Sequence, residues 1–183
     1  MKKLAIAGAS AVLAALPVVG VFAATQSTVT DTVKLTVTQT CQMEADAAAA
    51  TYDLGSSTVA HAYSEVNGSL MTITCNSLKG WTLKATANAL ANTTTGYTSV
   101  TIPFGAYGTT SSVWSAKVTA SGGTVASGWD DYTAATASDT TIVSGSSVSG
   151  ITVQPAYKAY AAATQQTGTY QGTIVYTFAE NAS

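Results

Sequence analysis

Hydrophobic and polar residues alternate along much of the chain. The longest alternating run extends from Thr28 to Met43, with apolar side chains on one face and mainly threonine on the other. A sustained period of two predicts an amphipathic β-strand. Our candidates for a self-association strand within this run are Val29, Val33, Leu35 and Val37. The alternative is that these side chains fill the protein's own core.

Two further alternating runs follow each other closely. Leu70–Asn76 is the first, and the chain from Trp81 to Asn88 is the second. A short turn containing Gly80 separates them, which predicts a β-hairpin. Other predicted strands are Tyr97–Ile102, Val113–Thr119, Gly150–Gln154 and Thr169–Phe178. Residues 120–150 are rich in Ser, Gly, Thr and Ala, which predicts surface loops with one or two short strands.

No segment shows sustained helical periodicity. Short strands separated by turn residues predict an all-β fold, namely an immunoglobulin-like or pilin-like β-sandwich of about eight strands with one disulfide. A closed barrel is the alternative.

The N-terminus has the three parts of a secretory signal. Met1-Lys2-Lys3 is basic, Leu4–Phe22 is uncharged and apolar, and Val21-Phe22-Ala23 is suited to a signal peptidase. We expect residues 1–23 to be a cleaved signal peptide and residues 24–183 to be a single domain, secreted or held at the cell surface. An uncleaved anchor helix is the alternative, which Pro17 and Gly20 disfavour.

The chain has two cysteines, Cys41 and Cys75. In an exported protein an even cysteine count predicts a disulfide. Both side chains fall on the apolar faces of predicted strands, which favours their pairing. The alternatives are two buried thiols or a metal site, although two cysteines with one histidine in the chain do not complete a tetrahedral zinc site.

Charge is scarce. Charged residues make up 9% of the chain, against about 25% in typical soluble proteins, and arginine is absent. Binding to nucleic acid or to an anionic membrane surface needs clustered positive charge, so we expect neither. We also expect no cofactor and no metal.

Candidate catalytic groups are few. His61 is the one histidine, and no G-x-S-x-G motif accompanies it. We therefore expect no enzymatic activity. The run Trp129, Asp130, Asp131 and Tyr132 combines aromatic rings with acceptor groups, as a sugar-binding loop or a weak calcium site would. The alternative is a solvated loop tip whose Trp129 packs onto the sandwich edge.

Two short patterns resemble known families. Gly80-Trp81-Thr82-Leu83 resembles the first W-x-L motif of bacterial WxL-type surface domains, and the aromatic segment 168–178 stands where those domains carry the second. Tyr176 and Phe178 replace its tryptophan and leucine. The early and later cysteine strands and the aromatic last strand are similar to those of fimbrial and spore-coat-U-type sandwiches. The first resemblance implies non-covalent attachment to the cell wall, and the second implies assembly in which a neighbour's N-terminal strand completes the sandwich.

Together these features predict an exported structural or adhesin-like protein, such as a pilus or surface-layer subunit. Its partner would be a second copy or another surface protein, reached by strand or face contacts. The alternative function is a non-covalent cell-wall or glycan-binding module that uses an exposed aromatic patch around Trp114, Trp129 and Tyr132.

Overall fold

A computed structural model describes residues 31–47, 50–56, 60–146 and 148–182. The predicted signal peptide and Val29 lie outside these residues. By its internal contacts the chain divides into Met1–Thr36 and Val37–Ser183. The described part of the first unit, residues 31–36, forms no strand and is exposed. The second unit contains all of the strands described below.

The described residues form an all-β structure. Seven strands have five residues or more: β1 (Cys41–Ala45), β4 (Met71–Cys75), β5 (Trp81–Ala87), β8 (Val113–Ala120), β10 (Thr140–Gly145), β11 (Val148–Ala161) and β13 (Ile174–Glu180). The shorter ones are β2 (His61–Ala62), β3 (Val66–Asn67), β6 (Leu90–Asn92), β7 (Thr101–Ile102), β9 (Thr124–Val125) and β12 (Tyr170–Gln171). In the described ranges no helix has the length and hydropathy of a membrane span.

Two antiparallel sheets enclose the core. The large sheet runs β1-β4-β11, and β11 also pairs with β2, β3 and β8. The second sheet runs β13-β5-β10-β9. One hydrophobic cluster takes side chains from both sheets, including Ile73 of β4, Leu83 of β5 and Val143 of β10. A small third sheet runs β12-β6-β7. Burial of one face per strand explains the alternating pattern in the sequence.

The predicted disulfide is present between Cys41 and Cys75. These residues are opposite each other in the β1–β4 register, at the first residue of β1 and the last of β4. Closing this loop stabilises the fold by about 4 kcal/mol in the chain-entropy model.

The long N-terminal strand is only partly formed, so the prediction for Thr28–Met43 is wrong over residues 31–40. Those residues form no strand and are exposed, and pairing starts at Cys41. The partner strand provides the physical reason. β4 ends at Cys75. One further backbone hydrogen bond, from the Asn76 N–H to the Thr40 carbonyl, continues the pairing, and beyond it only the Asn76 side chain bonds to Thr40 and Thr38.

The predicted hairpin is also wrong. The strands on either side of the turn at Gly80 belong to different sheets, β4 to the large sheet and β5 to the second. Both strands alternate because each buries one face in the shared core, so sequence alternation cannot distinguish a hairpin from a connection between sheets. Trp81 on β5 is fully buried.

Other predicted strands differ in extent. Val113–Thr119 corresponds to β8, whereas most of Tyr97–Ile102 is turn and only Thr101–Ile102 is strand. Gly150–Gln154 lies within the fourteen-residue β11. The rest of β11 contains Pro155 and several alanines. Both residue types are depleted in strands, so the composition of this part did not indicate a strand.

Candidate functional site

The exposed segment that precedes β1 is the first candidate site, and we call residues 31–40 the N-terminal segment. Three of its apolar side chains are largely exposed: Val33 at 93%, Leu35 at 85% and Val37 at 73%. Val37, which belongs to the second unit, therefore lies outside the core of that unit. Exposed aliphatic side chains at alternate positions are what a strand needs to bury one face against another chain.

The end of this segment is tightly held. The Asn76 side chain accepts a hydrogen bond from the Thr40 backbone N–H at 2.6 Å and donates one to the Thr38 carbonyl at 2.9 Å. The Glu180 carboxylate accepts hydrogen bonds from the Gln39 amide and, at 2.5 Å, from the Ser77 hydroxyl. Thr38, Gln39 and Thr40 are thus each fixed to the sandwich by a side chain.

An open groove adjoins this attachment. Its lining includes Val37, Leu78 and Asn181. Leu78, at the turn between β4 and β5, is as exposed as a free side chain. Leu78 and Val37 therefore both contribute apolar surface to this groove. No sequence pattern indicated that Leu78 is part of a candidate site, because a single leucine in a turn carries no periodic signal.

The edge strands β8 and β13 differ in how far other backbone groups already bond to their unpaired edges. Backbone groups outside the strands cover part of the free edge of β8, since Trp114 bonds to Pro103 and Gly105, and Val118 bonds to Trp129. In the described chain β13 pairs only with β5. The seven residues of β13 lack lysine and proline, the residues that commonly block pairing at an edge.

The exposed aromatic patch around Trp114, Trp129 and Tyr132, on which the alternative function relied, is not formed, and Trp129 packs against the core instead. All three residues are buried, Trp129 with only 2% of its surface exposed. Trp129 stacks on Phe104, with ring centroids 5.8 Å apart. Asp130 and Asp131 are exposed, and Asp131 accepts hydrogen bonds from Thr133 within the loop. The fold therefore removes the ring faces that sugar stacking needs.

Tyr132 belongs to a basic and aromatic cluster on the outer face of the large sheet. Lys117 on β8 pairs with Glu65 at 2.9 Å. The Lys117 and Lys158 ammonium groups lie 5.0 and 5.7 Å from the centre of the Tyr132 ring, and Lys158 lies 4.8 Å from that of Tyr107. These cation–π contacts fasten the loops of Tyr107 and Tyr132 to the sheet. The cluster is formed by tertiary packing, and the sequence pattern did not indicate it.

Electrostatics within the cluster follow from these contacts. The Lys117 ammonium, assisted by the Tyr132 hydroxyl, lowers the pKa of Glu65 below its ordinary value. Burial, followed by the neighbouring Glu65 carboxylate, raises the pKa of Tyr132 far above its ordinary value. Tyr132 also adopts a left-handed backbone conformation, with φ at 70°.

The remaining candidates are His61, a metal site and the two W-x-L-like segments. His61 on β2 is exposed and meets Tyr63 edge-on, with ring centroids 5.1 Å apart. Within the described ranges no three His, Cys, Asp or Glu side chains converge to hold a metal ion. The strands of the two W-x-L-like segments, β5 and β13, are neighbours, and Leu83 pairs with Phe178.

The fold and these surfaces define an all-β, disulfide-bonded protein with an exposed apolar segment before its first strand. Comparison of the chain with protein-family models, curated proteins and solved structures finds no match.

Proposed function

We propose that the protein is an exported structural or adhesin-like subunit of a cell surface, which associates through its N-terminal segment. The exposure of Val33, Leu35 and Val37 is the observation that carries this proposal. The signal-like residues 1–23 and the disulfide support export. The resemblance to fimbrial and spore-coat-U-type sandwiches agrees with a role in assembly.

Energetics favour covering these side chains. Full burial of a valine or leucine contributes about 1.5–3 kcal/mol, so three such residues supply several kcal/mol towards association. An extended segment added to a sheet edge also forms a row of main-chain hydrogen bonds. Together these terms oppose the entropy lost when the segment is ordered.

The edge of β13 in a second copy is the partner surface that we propose. Ile174, Tyr176 and Phe178 are half-buried on its inner side, so the sandwich leaves part of this row uncovered. Their spacing of two residues matches that of the apolar residues in the N-terminal segment. A donor strand at this edge would place one apolar row beside the other, with threonines facing water.

The alternative, a cell-wall or glycan-binding module, has less support. It relied on ring faces around Trp129 that are buried against the core. Asp130 and Asp131 remain exposed, but they lack an accessible aromatic platform beside them.

The test uses the exported product of the full chain, examined by size-exclusion chromatography and negative-stain microscopy. We expect assemblies from the unaltered protein and monomers from the variant Val33→Thr/Leu35→Thr/Val37→Thr. Thr32→Ser/Thr36→Ser, on the opposite face of the segment, is the matched control and should still assemble. Monomers from the unaltered protein would refute the proposal, as would assembly of the triple variant.

The acceptor edge is tested separately with Val175→Lys/Thr177→Lys, which adds charge to the outward face of β13. We expect this variant to be monomeric alone. Because its N-terminal segment is intact, it should bind the free edge of an unaltered copy and shorten assemblies in a mixture. Unchanged assembly of this variant would exclude β13 as the acceptor.

A further inference from the structure

The disulfide occupies a special position relative to the N-terminal segment. Cys41 is the first residue of β1, so the crosslink lies where the exposed segment meets the sheet. Its partner Cys75 is buried and ends β4, which lies between β1 and β11. The covalent bond therefore connects the segment directly to an interior strand.

β1 alone would be a weak attachment. It has five residues, pairs only with β4 among the described strands, and is largely exposed. A pull on its N-terminal end would break the β1–β4 hydrogen bonds in succession, starting at Cys41. Sequential opening of this kind loads only one or two bonds at a time, each of which is weak in water. Without a crosslink at that end, β1 would peel from the sheet.

We infer that the Cys41–Cys75 disulfide is a mechanical anchor, which passes tension on the N-terminal segment into β4 and keeps β1 from peeling. A crosslink at the other end of β1, between the positions of Ala45 and Met71, would not do this, because the force would reach the hydrogen bonds first. The inference rests on the proposed function in one respect: a partner that holds the segment is the source of the tension.

Non-covalent contacts form a first stage ahead of the disulfide. Asn76 holds Thr38 and Thr40, and Glu180 holds Gln39. Under tension these contacts yield first because they are individual hydrogen bonds. The load then reaches Cys41, where the disulfide stops further opening. Residues 38–40 can thus detach under load, whereas Cys41 stays fixed to β4.

Single-molecule force spectroscopy tests this inference. The full-length exported product is pulled between handles at residue 31 and the exposed loop residue Asp130, so that the C-terminal end of the edge strand β13 is not pulled directly. We expect the oxidised protein to show no separate release of β1 before the main unfolding event. Cys41→Ser/Cys75→Ser should show an additional step of roughly 2 nm at lower force, the length of five extended residues. Its total extension should also be longer by roughly 12 nm, because the disulfide of the oxidised protein prevents the 34 residues between its cysteines from being extended.

A control separates anchoring from general stability. Ile142→Val removes a methylene from the buried β10 of the second sheet and keeps the disulfide. It should lower the main unfolding force without producing the early step. An early step in this control, or in the unaltered oxidised protein, would refute the anchor.

A second experiment covers poor folding of the serine variant. Folded, oxidised molecules are held at low tension while a soluble dithiol reduces the disulfide. Appearance of the short step on reduction supports the inference. No change on reduction would overturn it, and so would complete unfolding at negligible force, since the bond would then support the whole fold. These measurements use single molecules, so failure of the anchor and failure of self-association are distinguishable.

Discussion

The hydroxyl groups of Tyr157 and Tyr176 lie 3.2 Å apart and form a hydrogen bond between the two sheets. Tyr157 belongs to β11 and Tyr176 to β13. Tyr52 packs on Tyr157, with ring centroids 5.6 Å apart. Burial raises the pKa of Tyr157, and burial together with the neighbouring Tyr157 raises the pKa of Tyr176 well above its ordinary value.

This pair predicts sensitivity to alkali. A pKa that is higher in the folded than in the unfolded protein gives stability that is complete below the unfolded value of about 10 and is lost as pH rises through the folded value. We expect the free energy of unfolding to fall above about pH 10. Tyr176→Phe should cost about 1 kcal/mol at neutral pH and make the alkaline decline shallower. Urea titrations from pH 8 to 11 measure both effects.

The matched control for this pair is Tyr97→Phe, at a largely exposed position. It should leave both the neutral stability and the alkaline decline unchanged. An equal decline in Tyr176→Phe and the unaltered protein would contradict the assignment.

The pairing of Glu65 with Lys117 predicts a smaller effect in acid. Because the pKa of Glu65 is lowered on folding, its contribution is complete above the unfolded value of about 4.3 and is lost as pH falls through the folded value. Glu65→Gln should destabilise by less than about 1 kcal/mol at pH 7, since both groups are partly exposed. The difference in stability between pH 7 and pH 3 should shrink. Thermal unfolding at both pH values measures it, with Glu44→Gln on β1 as the control.

Gly145 predicts a steric effect. A methyl group there would lie 2.6 Å from the Trp81 ring, which is fully buried. Overpacking of a core commonly costs about 1–3 kcal/mol, so we expect Gly145→Ala to destabilise by that amount. Gly108→Ala is the control, because no atom of the described residues lies within 4 Å of its added carbon. Equal denaturation midpoints for the two variants would contradict the packing described here.

Trp129 distinguishes a core role from a binding role. Because its side chain is buried against Phe104, Trp129→Ala should cost about 3–5 kcal/mol of stability. Asp130→Asn in the same loop should change stability by less than about 0.5 kcal/mol. Chemical denaturation compares them. A stable Trp129→Ala that loses affinity for wall glycans would instead restore the binding-module hypothesis.

Several strand predictions were confirmed because their signals are local. The alternation in Leu70–Asn76 and from Trp81 onward reflects burial of one strand face, which any neighbouring layer satisfies. The same property explains the failures. Alternation does not indicate which strand lies next to which. It therefore predicted one hairpin from β4 and β5, although these two strands lie in separate sheets.

The same limit of local sequence patterns applies to the candidate site, as Val33, Leu35 and Val37 show. Their spacing predicted a strand, which residues 31–40 do not form, because pairing with the protein's own sheet depends on where the partner strand ends. That was decided at Cys75 and by the Asn76 side chain. Trp129 shows the opposite outcome. An aromatic residue beside aspartates suggests an exposed binding site, but the loop packs Trp129 against Phe104.

The sequence by itself determined the all-β class and the cysteine pair, because strand periodicity and cysteine count are carried by the residues themselves. Tertiary structure alone decided which strands pair, which apolar side chains remain exposed before β1, and that the disulfide lies at their junction with the sheet. Those features depend on contacts between residues far apart in the chain, such as Gln39 with Glu180, and no local pattern encodes such contacts.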